Sequence, residues 1–540
     1  MIEAPRPPSQ ATIDEYTAKG WWGNRTFFEV VERHAREHPE REAMVDGRRR
    51  ISYGQFWKEV KRFAEFLRRQ GVKRGDVVTL QLLNRIEFPV VFFSLELIGA
   101  VANKISADFR SMEVEYILKF SNSRVYVCAS QFKGFDYLAM IREIRPRLPE
   151  LAMVICVDDV DAADVRSFAK VVDETPEIAD ADRVRIGPFE ILRMCFTSGT
   201  TGNPKGVLHC TNTTMCTCEL INDELKVTEK DVLLDYLPVG LNWGYITLVQ
   251  SVLAGAKAIL MERFSAEGAL EIIKREKVTY IPTAPASIVA MLNSSDLKKR
   301  DLSSLRVVIT GGASAAVETI KAFQAALPSA KLIELYGMLE TGFHSFTRLD
   351  DDPLKVNGTV GRRVKEMGLR IIDDDGNDMP YGEVGEIAAI GPSVHFGYLN
   401  NPDANRDSFT GDGWFRTGDL GQFVDAECNV RIAGRKKEII NRGGKKYFPR
   451  EIEELLYEHP AILQVAIVGA PDARLGEKNF MCVVLKPGAT LTLDEVVAFL
   501  RGRVADYKLP EQLEIMDALP MTPTGKIRRP ELVKQVKQKT

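Results

Sequence analysis

Two spacings of apolar residues alternate along the first two thirds of the chain. After Thr26, apolar side chains recur at helical spacing until Pro39 stops the helix. Continuous apolar runs then predict buried strands, and residues 88–97 predict an apolar helix. The predicted strands are 77–82, 124–128, 153–157, 191–196, 306–310 and 331–335. Alternating strands and helices favour parallel sheets covered by helices, with ligand sites at the carboxyl ends of the strands.

The two ends of the chain follow different patterns. Residues 1–25 are rich in Pro and polar side chains and are predicted to be a loosely held arm. Beyond Val360, short apolar segments separated by turn residues predict hairpin-rich β structure. After Gly434 we expect a compact α+β unit, with a helix opened by Pro449, strands at 464–468 and 480–485, and a helix over 492–504. The prediction is an α/β protein. It has a large N-terminal domain (1–434) with parallel βα sheets and a small β-rich subdomain, followed by a smaller α+β C-terminal domain (435–540).

Length and charge narrow the function classes. A chain of 540 residues is too long for one ordinary core, and 45% hydrophobic with 27% charged residues is typical of globular proteins. The net charge of −3 gives no basic surplus, so no nucleic acid partner is expected. The longest apolar stretch, 88–101, is too short for a transmembrane segment and contains Pro89 and Glu96. The N-terminus lacks a basic segment followed by an apolar one, so a cytoplasmic protein is the simplest expectation.

Cysteine usage suggests neither a disulfide framework nor a zinc site. Eight cysteines in a chain of this length predict no disulfide scaffold. His209, Cys210, Cys216 and Cys218 lie close together, but no second ligand pair follows at zinc-like spacing. We interpret them as side chains packed on and before a helix that begins near Thr211.

A loop of glycine and hydroxyl residues, 197–206, directly follows the strand predicted at 191–196. Glycine lets a backbone approach a ligand closely, and hydroxyl and amide groups can donate to phosphate oxygens. The loop is not an ordinary P-loop, because Lys205 is followed by Gly206 rather than by Ser or Thr. The candidate phosphate-binding residues are Thr197, Ser198, Gly199, Thr200, Thr201, Gly202 and Lys205.

This loop resembles the phosphate-binding signature of the adenylate-forming superfamily, which contains acyl-CoA synthetases, peptide-synthetase adenylation domains and firefly-type luciferases. Four further segments are similar to motifs of that superfamily and occur in the same order: 336–340 (YGMLE), 413–419 (GWFRTGD), 434–440 (GRKKEII) and 519–528 (LPMTPTGKIR). The similarity extends from about Thr26 to the C-terminus. Five ordered motifs identify the chain as a member of this superfamily, and its C-terminal domain is accordingly expected to be mobile.

The resemblance implies a nucleotide site. Asp419 and Arg435 are expected to hold the ribose, and Tyr336 is expected to stack against adenine. Glu340 is expected to act in catalysis by binding Mg²⁺. Lys526 is expected to be the catalytic cation at the α-phosphate, where charge builds up as a carboxylate attacks ATP. The small residues expected to leave room for the nucleotide are Gly311, Gly312, Ala313 and Gly337.

The resemblance also implies a second half-reaction, in which the C-terminal domain turns about Lys437 and a thiol reaches the acyl carbon. Gly443 and Gly444 are similar to the glycines of a loop that lines the pantetheine tunnel. The candidate contacts for coenzyme A phosphates are Lys445, Lys446 and Arg474.

The acyl group is expected beside residues of two motifs. The aligned positions are Trp243, Thr247, Phe343 and His344, together with Gly337. Two bulky rings among them favour a compact, apolar acid, such as a medium-chain, alicyclic or aryl acid, over a long fatty chain.

Two positions depart from the superfamily. Leu339 stands where a threonine hydroxyl usually contacts phosphate, and Thr341, two residues on, is a candidate replacement. Leu241 stands where a histidine or aromatic residue often gates the acyl pocket.

We therefore predict an AMP-forming acid:CoA ligase that uses ATP, Mg²⁺, coenzyme A and a small-molecule carboxylic acid. Transfer of the acyl group to a carrier-protein phosphopantetheine is the main alternative, and a luciferase-like oxidase is a further one. A non-catalytic homologue that binds nucleotide or acyl ligand has only Leu339 and Leu241 in its favour. The sequence leaves the acid open, and also whether the protein is a homo-oligomer.

Overall fold

The computed structural model describes residues 2–197, 204–311, 317–353, 356, 358–472, 474–522 and 527–537. Its largest sheet has nine strands, of which the six at the centre are parallel. In spatial order these strands are Arg362–Arg363, Gly342–Phe346, Lys331–Met338, Val307–Gly311, Tyr280–Thr283, Val232–Asp235, Lys257–Leu260, Glu42–Val45 and Arg50–Ser52.

A second large sheet has seven strands and is parallel except where Gly206–Cys210 pairs with Ile191–Phe196. In spatial order its strands are Gly206–Cys210, Ile191–Phe196, Val101–Lys104, Val77–Gln81, Ser123–Cys128, Met153–Cys156 and Arg166–Ser167. The helices of this part are Gln10–Ala18, Phe27–Glu37, Tyr53–Arg69, Glu87–Leu97, Ser111–Phe120, Tyr137–Ile144, Phe168–Glu174, Thr211–Leu225, Asn242–Ala254, Ala266–Glu276, Pro285–Leu292 and Val317–Ala326.

The apolar helix Glu87–Leu97 is buried along its whole length, as its lack of a polar face requires. Of its two buried carboxylates, Glu96 accepts hydrogen bonds from the backbone N–H groups of Phe27 (3.1 Å) and Phe28 (2.7 Å). Those two residues begin the helix Phe27–Glu37, which Thr26 caps. Burial raises the pKa of Glu96 to about 7.

Two smaller sheets follow. The first is antiparallel and contains Gly368–Ile372, Gly385–Ile390, Phe415–Phe423 and Val430–Arg435, with the helix Pro402–Asp407 between its second and third strands. The second contains Lys445–Tyr447, Ile440–Arg442, Gly476–Leu485, Ile462–Asp472 and Gln512–Ile515. The helices Pro449–Leu456, Leu493–Leu500 and Arg529–Lys537 accompany it, and its apolar residues form two clusters of their own.

These sheets confirm the α/β class, the small β-rich subdomain and the separate C-terminal α+β unit. The change from one small sheet to the other occurs within residues 436–439, next to the limit placed at 434/435. Two element ends differ from the prediction. The strand expected to end at Leu335 continues to Met338, because it pairs with Gly342–Phe346, and the helix expected to reach Val504 ends at Leu500.

The prediction of a loosely held N-terminal arm is wrong. Residues Gln10–Ala18 form a helix capped by Ser9, and Trp22 is buried. The indole N–H of Trp22 donates to the carbonyl of Pro392 at 3.0 Å, and the backbone N–H of Arg6 donates to the carbonyl of Phe396 at 3.0 Å. The partners of the arm lie so far along the chain that local composition did not indicate them.

The residues around His209 lie on a strand end and a helix. The helix begins at Thr211, as predicted. His209 makes hydrogen bonds with the Thr213 hydroxyl (3.0 Å) and the Leu339 carbonyl (2.8 Å). In the described part of the chain, no group of three metal-ligating side chains is found, and no helix has the length and apolarity of a membrane span.

Candidate active site

Asp419 links two sheets of the fold at the predicted ribose site. It lies on the strand Phe415–Phe423, directly opposite Arg435 at the end of the next strand. One carboxylate oxygen is 3.0 Å from Nε of Arg435, and the other accepts a hydrogen bond from the Tyr336 hydroxyl at 2.9 Å. The charge of Asp419 raises the pKa of Arg435, so the guanidinium stays charged. Tyr336 belongs to the nine-stranded sheet, so one carboxylate joins that sheet to the β-rich sheet.

The backbone around Asp419 is held by a threonine that the sequence analysis did not single out. The Thr417 hydroxyl donates to the Ile387 carbonyl at 2.7 Å and accepts from the backbone N–H of Asp419 at 3.1 Å. Thr417 is buried on the central part of the β-rich sheet. It therefore fixes the direction in which Asp419 leaves the strand. Its place two residues before Asp419 in the recognised motif was the available signal.

Glu340, the predicted magnesium ligand, is partly exposed at the tip between the strands Lys331–Met338 and Gly342–Phe346. Its carboxylate accepts a hydrogen bond from the Tyr398 hydroxyl at 3.2 Å, and its carbonyl accepts from the backbone N–H of His395 at 2.7 Å. Burial raises the pKa of Glu340, although the Tyr398 hydroxyl and the charges of Arg435 and Lys205 oppose that effect. A carboxylate with a hydroxyl beside it is an oxygen site of the kind that Mg²⁺ prefers.

Tyr398 connects this carboxylate to the predicted phosphate loop. The ammonium group of Lys205 lies 4.8 Å from the centre of the Tyr398 ring. The two ends of the loop are hydrogen-bonded to each other, because Thr197 N–H donates to the Lys205 carbonyl at 3.0 Å and Lys205 N–H donates to the Thr197 hydroxyl at 3.2 Å. Sequence analysis missed Tyr398, since nothing in the local pattern distinguishes it from a core aromatic residue.

The predicted acyl residues lie beside the end of a central strand. A Cβ atom added to Gly311 would be 3.1 Å from the Trp243 ring, so that ring packs directly on the Gly311 backbone. Trp243 is in the first turn of the helix Asn242–Ala254, and the hydroxyl of Thr247, one turn later, donates to its carbonyl at 3.0 Å. Gly311 of the predicted nucleotide site and Trp243 of the predicted acyl site are therefore neighbours, as an attack of a carboxylate on a phosphate would require.

His344 and Phe343 are both buried on the strand Gly342–Phe346. The His344 ring meets the Tyr336 ring edge to face, with centroids 4.9 Å apart. Burial lowers the pKa of His344 to about 3, so the imidazole is neutral at pH 7. Thr341 is fully buried and its hydroxyl is hydrogen-bonded to His344, so the suggestion that Thr341 replaces a phosphate-contacting threonine is wrong.

Several predicted residues lie outside the described part of the chain. They are Ser198, Gly199, Thr200, Thr201 and Gly202 of the phosphate loop, Gly312 and Ala313 beside the predicted adenine site, and Lys526. The described residues on either side of Lys526 are close together. Met521 and Ile527 form an antiparallel bridge, and Arg528 N–H donates to the Pro520 carbonyl at 2.8 Å.

The predicted coenzyme A residues occupy two adjacent turns of the C-terminal sheet. Gly443 and Gly444 have φ values of +60° and +84° and form the turn before the exposed residues Lys445 and Lys446. The backbone N–H of Gly443 donates to the Leu475 carbonyl at 2.8 Å, which places the exposed Arg474 turn beside this one. Lys437 lies in the short 3₁₀ turn Lys436–Glu438 that immediately follows Arg435.

Comparison with known proteins assigns the chain to a family. The model of the AMP-binding enzyme family matches residues 31–399, and that of the AMP-binding enzyme C-terminal domain matches residues 451–526. The medium-chain fatty-acid–CoA ligase of Escherichia coli K12 is 30% identical over 519 residues, which cover 95% of this chain and 91% of that protein. The 2,3-dihydroxybenzoate-AMP ligase of Bacillus subtilis is 28% identical over 543 residues, which cover 100% of this chain and 99% of that protein.

A solved structure gives the same assignment. An anthranilate CoA ligase in complex with anthranoyl-AMP has a TM-score of 0.89 and 26% identity, and the match covers 96% of this chain and 98% of that one. The chain belongs to the AMP-binding enzyme family. Within that family it is an adenylate-forming ligase, which activates a small-molecule acid with ATP.

Proposed function

We propose that this protein is an AMP-forming acid:CoA ligase. A carboxylate oxygen of the acid attacks the α-phosphate of ATP, which releases pyrophosphate and forms an acyl adenylate. The thiol of coenzyme A then gives up its proton and attacks the acyl carbon, which releases AMP and leaves a thioester. The observation that supports this most directly is the position of Trp243 on the backbone of Gly311, which puts an acyl wall beside the predicted nucleotide site.

In the first half-reaction, charge is the main obstacle, since both reacting groups are anionic. Asp419 is held by the Tyr336 hydroxyl and by Arg435. Its carboxylate is suited to accept hydrogen bonds from the two ribose hydroxyls and so to fix the nucleotide. Glu340, with Tyr398 beside it, would hold Mg²⁺, which would offset phosphate charge. Lys526 would add a positive charge at the α-phosphate when its loop reaches the nucleotide.

In the second half-reaction, the C-terminal unit would rotate at Lys437 and present its other turns to the acyl adenylate. Gly443 and Gly444 have the positive φ values that favour glycine, and they carry no side chains. The turn they form would therefore let a pantetheine arm pass close to the backbone. Lys445, Lys446 and Arg474 would contact the phosphates of coenzyme A. The name of the E. coli relative includes CoA as acceptor and that of the B. subtilis relative does not, so the acceptor needs its own test.

The substrate would be a compact acid. The Trp243 ring is packed on the Gly311 backbone, and a bulky ring at this position favours a compact acid over a long unbranched chain. A medium-chain, alicyclic or aryl acid fits this arrangement best.

Pyrophosphate release and hydroxylamine trapping across a panel of such acids test the first half-reaction. Lys526→Ala should lower the adenylation rate at least about a hundredfold, because one positioned charge at a developing anion contributes on that scale. Lys534→Ala, which removes an exposed lysine from the C-terminal helix, is the matched control. Adenylation by Lys526→Ala at nearly the wild-type rate would refute the role of Lys526. If no acid in the panel triggers pyrophosphate release, the result would support a non-catalytic homologue instead.

Product analysis decides the acceptor. Saturable thioester formation with free coenzyme A supports the proposal, and Lys445→Ala with Lys446→Ala should raise the KM for coenzyme A without changing pyrophosphate release. Thioester formation on a phosphopantetheinylated carrier protein alone would support the second candidate function instead.

A further inference from the structure

Two cations are buried side by side on one face of the seven-stranded sheet. Lys104 lies directly opposite Cys195, and Arg193, two residues before Cys195, lies opposite Ala102. Residues two apart on a strand share a face, so Lys104 and Arg193 point to the same side. Lys104 is completely inaccessible to solvent and Arg193 is 3% exposed. The next strand places His209 directly opposite Arg193 on this face.

Both cations contact the first turns of the helix Asn242–Ala254, which carries the predicted acyl residues Trp243 and Thr247. The Lys104 ammonium and the Arg193 guanidinium carbon each lie 4.8 Å from the centre of the Tyr245 ring. Arg193 also donates to the side-chain oxygen of Asn242 at 2.8 Å. The cation pair is therefore packed against the same helix that carries the predicted acyl residues.

No anion balances these charges within the described residues. None of their carboxylates forms an ion pair with Lys104 or Arg193, and Nε of Arg193 has no hydrogen-bond partner among them. The side chains beside the Lys104 ammonium and the Tyr245 hydroxyl are Cys195 and Thr214. The nearby Cys195 thiol donates to the Gly240 carbonyl at 3.8 Å. The Glu96 carboxylate is already occupied by the N–H groups of Phe27 and Phe28 and by the hydroxyl of Thr211.

An unpaired buried charge is costly, and an interior normally supplies a counter-ion or neutralises the group. Burial lowers the pKa of Lys104 only to about 8, so most of the molecules carry its charge at pH 7. His209, whose pKa burial pushes well below its ordinary value, is neutral and supplies no further charge. The site thus holds two positive charges and one unpartnered donor, Nε of Arg193, which is the chemistry of an anion site.

We propose that Lys104 and Arg193 bind a second carboxylate at the far end of the acid substrate, so that the enzyme activates one end of a dicarboxylic acid. The inference rests on the proposed function, because it deepens the specificity of the same acyl site. The body of the acid lies along the apolar wall beside Trp243, and its distal carboxylate neutralises the cation pair. A monoacid of the same length leaves the pair unneutralised and is the poorer substrate.

Matched acid pairs test this, with pyrophosphate release as the readout: hexanoate with adipate, octanoate with suberate, and hydrocinnamate with its para-carboxy derivative. For the pair whose length suits the pocket, the wild type should show a kcat/KM at least about tenfold higher for the dicarboxylate, a difference of about 1.4 kcal/mol. Lys104→Met and Arg193→Met should each lower that ratio at least tenfold, whereas Arg193→Lys, which keeps the charge, should retain most of it. A wild type that prefers the monoacid in every pair overturns the proposal, and so does a Lys104→Met variant with an unchanged ratio.

Binding without catalysis separates this inference from the proposed function. In the absence of ATP, the favoured dicarboxylate should raise the thermal midpoint of the wild type more than its monoacid does. A dicarboxylate-specific shift without pyrophosphate release would support the anion site and refute the ligase. Pyrophosphate release with monoacids alone would support the ligase and refute the anion site, leaving Lys104 and Arg193 as a purely structural pair.

Discussion

Replacing Lys104 with methionine measures what the buried charge costs the ligand-free protein. Methionine has similar length and no charge, so it fits the same space beside Tyr245. Burial lowers the pKa of Lys104 from 10.5 to about 8. By proton linkage, such a difference between folded and unfolded chains corresponds to about 3 kcal/mol of free energy of unfolding.

The sign of the effect follows from which state binds the proton more tightly. Because the folded pKa is lowered, the unfolded chain holds more protons between about pH 8 and pH 10.5. The wild type should therefore gain stability relative to Lys104→Met as the pH rises through that window. Below about pH 8 the full cost of the charge remains, and Lys104→Met should be the more stable protein.

Three other titratable groups near this face lie outside the window. Burial raises the pKa of the Tyr245 hydroxyl and of the Cys218 thiol well above their ordinary values, and it lowers that of His209 well below 6.5. The difference between the two proteins thus reports Lys104 together with its coupling to Cys195.

Urea unfolding between pH 7 and pH 10, followed by tryptophan fluorescence, provides the measurement. Four of the five tryptophans (Trp21, Trp22, Trp57 and Trp243) precede residue 244, so the signal reports mainly on the N-terminal sheets. Lys119→Met, at an exposed helical position, is the control and should show no such pH dependence. A constant difference between wild type and Lys104→Met across this range would show that the charge is not buried at a cost. A large loss of stability in Lys104→Met at pH 7 would show that the ammonium has a partner.

Three further substitutions test other contacts. Tyr336→Phe removes the hydrogen bond to Asp419 and should raise the KM for ATP about five- to tenfold, in keeping with about 1 kcal/mol for such a bond; an unchanged KM would separate Asp419 from nucleotide binding. Trp243→Ala should shift the preferred acid toward longer chains in the pyrophosphate assay, and an unaltered chain-length profile would contradict its place in the acyl wall. Trp22→Ala should destabilise the protein by about 3 to 5 kcal/mol in urea unfolding, as loss of a buried indole does; a loss below about 1 kcal/mol would mean that the arm contributes little.

Local pattern was sufficient for most elements and for the recognised motifs. The apolar run at 88–97 has no polar face, so it could only be an interior helix, and the helix Glu87–Leu97 is buried throughout. The strand of Tyr336 was predicted too short, because its last residues pair with a strand that follows it after a tight turn. Spacing within a run does not report such pairing.

The contacts that define the site's chemistry join distant residues and were not predictable from local sequence. Lys104 and Arg193 become neighbours only because their strands are adjacent in the seven-stranded sheet, although they are far apart in the chain. A lone lysine at a strand end is ordinarily a surface residue, so its burial has no sequence signal. Tyr398 was missed for the same reason, since its partners Glu340 and Lys205 come from other parts of the chain.

The docked N-terminal arm has a consequence for synthesis on the ribosome. Trp22 is made early, but the carbonyl that accepts its indole N–H belongs to a residue 370 positions later. At ordinary elongation rates of about 5 to 20 residues per second, roughly 20 to 75 seconds separate the two events. During that interval the indole of Trp22 lacks its native hydrogen-bond acceptor, so we expect a chaperone to bind the nascent chain at this aromatic segment.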